Sequence, residues 1–548
     1  MLHIRTTRTA SFSTAVQVVK YEGKRTIVIK HIGSAHTKEE IEALKQTASD
    51  WIKTQQADKN QLPLMPLPLP SRKTQPLIPL DKCEYLGSRH AFIYEVLFTL
   101  FRLFRFHKIN NQLLLDLVIM RIIKPVSKLE SLEYLSTMFD HGYKAGSLYQ
   151  ALPVLATHKD VVEEAVVAFA KKYYSFDFSF VFYDVTTLYY ESFTEDEDSF
   201  DDEGNMVEKG LRKNGNGKEI KIGQPIIVIG LMVTKEGFPV SYEVYEGNTF
   251  EGDTFIPSIL SFQKKHSIKT LTIVADAAMI SFDNVEKLKE QHLSYIVGAR
   301  IANLKQTEMK QIHTELIGEN QTAEDLQKID GKSMRIQTER GLLLCDFSIK
   351  RYQKDKREME KQIIRAENLV AKNSEGKRTK FLQLKQTNIG KKKGEEKEKS
   401  YELNTTLIEK TKQLLGIKGY YTNLFEKDEE LTNADIINHY HGLWHVEKAF
   451  RIAKSDLQMR PIYHFKKQAI EAHILICFMA LSMCKYMELK TNKSTKKIVK
   501  LLKSITEAKI KNLLTGEIII LKQHLSEEVK QLRENLISKP IGDKNLDT

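Results

Sequence analysis

Within Tyr440-His-Gly-Leu-Trp444-His-Val-Glu447-Lys-Ala-Phe-Arg451-Ile-Ala-Lys454, the residues Tyr440, Glu447, Arg451 and Lys454 recur at intervals that place them on one face of a helix. A carboxylate therefore shares a stripe with two cations. Two further acids end apolar runs of strand character: Asp184 closes Phe178-Ser-Phe-Val-Phe-Tyr-Asp184, and Asp276 closes Leu271-Thr-Ile-Val-Ala-Asp276. Three carboxylates on two strand ends and one helix describe a site for hard divalent cations, Mg2+ with Mn2+ as a substitute, and for phosphodiester chemistry. Two such ions about 3.5 to 4 Å apart activate water and stabilise a leaving 3′ oxygen. Arg451 and Lys454, one and two turns beyond Glu447, are spaced to hold phosphate oxygens; otherwise they form a surface ion pair of little weight. Tyr440 and Trp444 either stack on a base or anchor the helix.

Each acid alone has a plain reading. Asp184 would cap the turn through Thr186 and Thr187, Asp276 would cap Ala277-Ala278-Met279, and Glu447 is an ordinary helical glutamate. A carboxylate at the end of a strand as aromatic as Phe178–Asp184 nevertheless needs a partner or a metal, because unpaired burial of a charge is costly. One metal site accounts for all three.

The elements that must position these residues follow from periodicity. Residues 14 to 30 alternate around Glu22-Gly23 as a β-hairpin, and Thr37 to Ile52 opens with Thr-Lys-Glu-Glu as a helix. Leu62-Pro-Leu-Met-Pro-Leu-Pro-Leu-Pro70 is an extended linker, since proline withdraws donors and restricts its predecessor. Helical periodicity returns at 91–106, 111–123, 128–139, 147–155 and 160–172. There Arg121-Ile-Ile-Lys124-Pro-Val-Ser127-Lys128 sets three cations around a proline break that suits either phosphate contact or a solvated helix junction. From Phe178 onward three strands, a helix, the strand ending at Asp276, a second helix and Tyr295-Ile-Val-Gly-Ala299 follow in the element order of a ribonuclease-H-like fold.

These elements predict an α/β protein whose ribonuclease-H-like core is interrupted by an insertion. The expected divisions are 1–60, a hairpin and helix; 61–87, a linker; 88–175, a helical DNA-binding region; 176–300, the first part of the core; 301–430, the insertion with the lysine-rich run Gly390-Lys-Lys-Lys-Gly; 431–490, the second part of the core carrying Glu447; and 491–548, a helical tail.

Composition bounds the partners. The chain has 548 residues, 41% hydrophobic and 28% charged, with a formal net charge of +12, a balance that favours a polyanion. Four cysteines without a CxxC pair argue against a disulfide scaffold and a zinc finger. Ile470 to Met487 is apolar but contains Glu471, His473 and Lys485, and reads as a buried helix rather than a membrane span. The N-terminus lacks the apolar segment of a signal peptide. The expectation is a cytoplasmic, nucleoid-associated protein with no membrane partner.

Residues 440 to 454 resemble the Tyr-x2-Arg-x3-Glu-x6-Lys signature of bacterial insertion-sequence transposases with an Asp-Asp-Glu triad. Tyr440, Glu447 and Lys454 match it in kind and interval, while Leu443 stands where many members have arginine. Phe182-Tyr-Asp184-Val-Thr-Thr187, Gly247-Asn248-Thr249, Thr272-Ile-Val-Ala-Asp276-Ala-Ala-Met279 and Phe450 to His464 are similar to family motifs in the same order, although Ala277-Ala278 replaces a frequent Arg-Gly. The resemblance covers roughly residues 90 to 490. It implies catalysis by Asp184, Asp276 and Glu447, a β-rich insertion between the second and third acids, binding of double-stranded DNA at terminal inverted repeats and at a target, and synapsis as a homodimer. The expected activity is cut-and-paste transposition by cleavage and 3′-hydroxyl strand transfer. A stand-alone metal-dependent nuclease and a catalytically inactive DNA-binding descendant are the alternatives.

Overall fold

The computed structural model describes residues 2–10, 12–23, 25–57, 80–215, 223–279, 282–319, 322–373, 379–387 and 398–538. The proline-rich segment Leu62–Pro70 and the lysines at 391–393 lie outside the described residues. The chain divides into two compact units, one of residues 1–99, 132–143 and 497–537, the other of residues 100–131, 144–496 and 538–548.

In the first unit the predicted hairpin gains a strand at its N-terminus. Leu2–Arg8, Thr14–Glu22 and Arg25–Ala35 form an antiparallel sheet. Val16, Val18, Ile32 and Ala35 bury against Leu44 and Ala48 of the helix Lys38–Ala57. A second sheet pairs Cys83–Arg89 with Glu507–Asn512 and Ile518–Lys522. This corrects the reading of 491–548 as a helical tail over residues 507–522. The helical expectation holds for Thr495–Lys503 and again for Glu527–Ile537; between them Gly516 turns the chain at φ +72° and the β-branched run Ile518-Ile519-Ile520 pairs as an edge strand.

The second unit is an α/β structure with helices flanking a central mixed sheet. Its strands are β1 (Phe180–Tyr189), β2 (Ile226–Val233), β3 (Pro239–Glu246), β4 (Thr272–Ala275), β5 (Ser294–Ala299), β6 (Ser333–Thr338), β7 (Gly341–Phe347) and β8 (Ile417–Thr422). Their order is β6-β7-β8-β5-β4-β1-β2-β3. β4 runs parallel to both β1 and β5, and the remaining neighbours are antiparallel. All eight residues of β2 are buried, as expected of an apolar strand covered on both faces. Three strands drawn from residues 301–430 continue the sheet beyond β5.

The helices used below are α1 (Gln112–Ile123), α2 (Ala145–Ala156), α3 (Lys159–Tyr174), α4 (Glu251–Lys265), α5 (Ile349–Ala371), α6 (Asn433–His441), α7 (Trp444–Arg451) and α8 (Lys467–Thr491). The helical stretch 88–175 is shared between the two units and does not form one of its own. In the second unit α1 and α2 pack on α8. The most apolar 18-residue window of α8 is 94% buried, the state of a core helix. Ring contacts among Phe104, Phe169 of α3, Phe238 and Tyr486 of α8 join these two helices to the start of β3, Phe104 stacking on Phe169 at 4.0 Å. Arg121 and Lys128 are 6% and 5% exposed, so these two cations of the proline-break phrase face inward and are withheld from a surface phosphate.

On β1, Tyr183 crosses the sheet to α4, its hydroxyl lying 2.9 Å from Thr254 Oγ1 and 3.1 Å from Ser258 Oγ. It passes over Gly230 of β2, where a Cβ would collide with the Tyr183 hydroxyl and ring. Gly230→Ala is expected to destabilise this unit by about 1–3 kcal/mol through overpacking. Thermal unfolding should show a lowered midpoint, partly restored by adding Tyr183→Phe; an unchanged midpoint in the single variant would refute the close approach.

Candidate active site

The register of β1 and β4 sets the first half of the site. Tyr183 pairs with Ala275, so Asp184 and Asp276 follow side by side on parallel neighbours. β4 ends there, whereas β1 runs on beside β2 with Asp184 opposite Leu231. Asp184 is half-buried and its Oδ1 accepts the Val185 N–H at 2.8 Å; Asp276 is exposed beyond its strand end.

The segment carrying Glu447 is not one continuous helix. α6 ends at His441, α7 begins at Trp444, and a wider π turn covers Ile452–Asp456. Gly442 stands at the junction because the Phe182 ring of β1 occupies the position its Cβ would take. This close approach brings Glu447 to the sheet. Asp184, Glu447, Arg451, Lys454 and Arg460 line one cavity of about 300 Å3, together with Phe450 and Ser455. Two carboxylates facing three permanent or near-permanent cations give a lining with excess positive charge, suited to a phosphate.

Asp276 is joined to the site by a different route. Tyr440, 3% exposed on α6, donates its hydroxyl to Asp276 Oδ1 at 3.1 Å. Burial, reinforced by the Asp276 charge, raises the phenol's pKa, so it stays a proton donor. Base stacking by Tyr440 is thereby replaced by positioning of a carboxylate. Lys418 of β8 lies 4.2 Å above the Tyr440 ring. Burial and the Arg351 charge lower the Lys418 pKa, while Asp276, Asp346 and Glu447 oppose that shift. Trp444 remains 52% exposed and stacks on its neighbour His445 at 4.0 Å.

The structure thus gathers Asp184, Glu447, Arg451 and Lys454 on one cavity and ties Asp276 to Tyr440. Among the described residues no three His, Cys, Asp or Glu side chains stand close enough together to form a metal-holding group. The carboxylate oxygens of Asp184 and Glu447 on one cavity, with Asp276 in register beside Asp184, fit a hard divalent cation by donor chemistry. Lys418 had no sequence signal, because its role depends on a strand that returns to the sheet from the insertion. Arg460 sits within the motif following Glu447, but nothing in its spacing marked it as a cavity residue.

Residues 179–483, more than half of the chain, match a family described as transposase DDE domain. No curated protein matches the chain. Among solved structures, the cryo-EM structure of the piggyBac transposase synaptic complex with hairpin DNA matches at 9% identity and a TM-score of 0.33, covering 83% of this chain and 87% of that one. The Mos1 transposase paired-end complex with left transposon end matches at 10% identity and a TM-score of 0.15, covering 46% and 66%. At these TM-scores neither complex bears on the geometry of this site.

The segment bearing Arg460 is fastened by a cluster of Lys128, His464 and His473. Lys128 Nζ lies 2.6 Å from His464 Nε2 and 3.0 Å from His473 Nδ1. His473 Nε2 donates to the Met459 carbonyl at 3.0 Å, which leaves Nδ1 to accept from Lys128. Burial, then the charges of Lys128 and Arg121, push His464 down to about 3 from its ordinary 6.5. As pH falls below 6.5 the unfolded chain takes up this proton and the folded chain does not until about 3. The His464 contribution to stability is therefore full above 6.5 and is lost across that window. His464→Gln should show a shallower fall in thermal midpoint than the parent between about pH 7 and about pH 5; parallel curves would exclude His464 as a source of acid sensitivity.

Proposed function

Because the chain belongs to the transposase DDE domain family, we propose that it is a DNA transposase that binds the terminal inverted repeats of its element and catalyses cleavage and 3′-hydroxyl strand transfer at its Asp184, Asp276 and Glu447 centre. The observation that carries this reading is the single cavity shared by Asp184, Glu447, Arg451, Lys454 and Arg460, with Asp276 in register beside Asp184. Five strands in the order β5-β4-β1-β2-β3, with only the β1–β4 and β4–β5 pairs parallel, support assignment of the core as ribonuclease-H-like.

Asp184, Asp276 and Glu447 are assigned to holding Mg2+, or Mn2+ in its place, which when bound supplies Lewis acidity toward phosphodiester oxygens and lowers the pKa of water. Arg451, Lys454 and Arg460 grip the phosphate and offset the negative charge that builds on it. Tyr440 holds Asp276 through its hydroxyl, and exposed Trp444 is available to a base. In the first reaction water displaces the 3′ oxygen of the scissile phosphodiester. In the second that 3′ hydroxyl attacks a target phosphodiester, forming one bond as another breaks and requiring no external energy source. Synapsis of two ends by a homodimer belongs to the same proposal.

Asp184→Asn is expected to reduce strand cleavage of element-end DNA by about 100-fold or more while leaving binding intact. Gel assay of cleavage and anisotropy of binding on the same duplex separate the two effects, and undiminished cleavage would remove Asp184 from the catalytic centre. Lys454→Ala should leave the fold intact and lower the salt dependence of DNA binding by about one unit of logarithmic slope, as loss of one phosphate contact requires. An unchanged slope with unchanged strand transfer would return Lys454 to an ordinary surface role.

A further inference from the structure

Helix α5 presents a face that the catalytic reading does not use. At 100° per residue, Lys350, Lys354, Arg357, Lys361, Arg365 and Lys372 just past its end fall within an arc of about 80°, opposite the buried Met359 and Ala366. All six are exposed. The helix acids Asp355, Glu360 and Glu367 lie outside that arc, and Glu358 at its border lies 3.5 Å from Lys361. None of the other five cations makes an ion pair among the described residues.

Such an arrangement is locally unfavourable. Like charges three and four residues apart repel by a few tenths of a kcal/mol per pair, and solvated helices ordinarily intersperse the two signs. From Lys350 to Lys372 the row runs about 33 Å at the α-helical rise, close to the roughly 34 Å of one duplex turn. A row of single sign and this length complements a regular linear polyanion. The N-terminal end of the helix adjoins the active site, since the Arg351 charge acts on both Lys418 and Tyr440.

We propose that the outward face of α5 is a docking surface for the phosphate backbone of duplex DNA, guiding the DNA that extends from the catalytic cavity. This rests on the transposase reading and adds the surface that holds the flanking duplex. The contacts are to phosphate and carry no base sequence, so they serve element-end and target DNA alike.

The test uses the full chain with four neutral substitutions, Lys354→Gln, Arg357→Gln, Lys361→Gln and Arg365→Gln, binding a duplex of about 30 base pairs over a salt series. At about 0.9 per phosphate contact, the logarithmic salt slope should fall by about 3 to 4, with at least tenfold weaker binding at low salt and a thermal midpoint no lower than the parent's. Arg357→Lys with Arg365→Lys should keep the parental slope, because point charges suffice. An unchanged slope and affinity in the four-site variant would overturn the proposal. So would loss of binding to polyglutamate with DNA binding intact, which would assign the face to an acidic protein. The Asp184→Asn protein distinguishes the two readings: retained cleavage there with a reduced slope in the stripe variant would sink the catalytic assignment alone, and the reverse pattern would sink the docking surface alone.

Discussion

Parallel pairing of β1 with β4 governs the rest of the site. The pairing Tyr183 to Ala275 leaves two aspartates next to each other at the point where one strand stops and the other continues. β4 is only four residues long and wholly buried, so its place is fixed by the apolar neighbours on either side. A slip of one residue would turn Asp184 and Asp276 toward opposite faces of the sheet. Two neighbouring carboxylates repel, and that repulsion must be offset by cations or hydrogen-bond donors drawn from elsewhere in the chain.

The segment 433–466 supplies most of those groups, and its irregularities are what allow it to do so. Gly442 admits the Phe182 ring where α6 gives way to α7, while His439 of α6 stacks on Phe180 of β1. Tyr440 turns inward to Asp276, while Glu447 faces the cavity with Arg451 and Lys454. Their work is divided between positioning a carboxylate and lining a cavity.

Strands β6, β7 and β8 extend the sheet past β5, and their return sets Lys418 over Tyr440. Residues between β7 and β8 build a smaller core of Met359, Ala366, Phe381, Ile408 and Leu415, which buries one face of α5 and leaves the opposite cationic face outward. A single insertion thus contributes a charge beside Asp276 and a basic row leading away from it.

Local periodicity determined much of the fold. The helices Gln112–Ile123, Lys128–Phe139 and Lys159–Tyr174 and the succession of β1 to β5 follow from apolar spacing within a few residues. The acids at 184, 276 and 447 were legible because a charge closing a buried strand, or repeating along a helix beside two cations, stands out against its surroundings. The C-terminal strands were not legible, since Leu501, Ile505 and Ile510 fit a helical stripe until pairing with Cys83–Arg89 decides otherwise. Nor were Lys418, Arg460 and the Lys128, His464 and His473 cluster: Lys418 meets Tyr440 only because β8 returns to the sheet, Arg460 shares its cavity with Asp184, and Lys128 reaches His464 and His473 from the far side of the sequence. The sequence by itself determined which side chains are available and the period at which they recur. Only the tertiary structure decided their burial, partners and charge environment, because those depend on long-range strand pairing and close packing that no local spacing encodes.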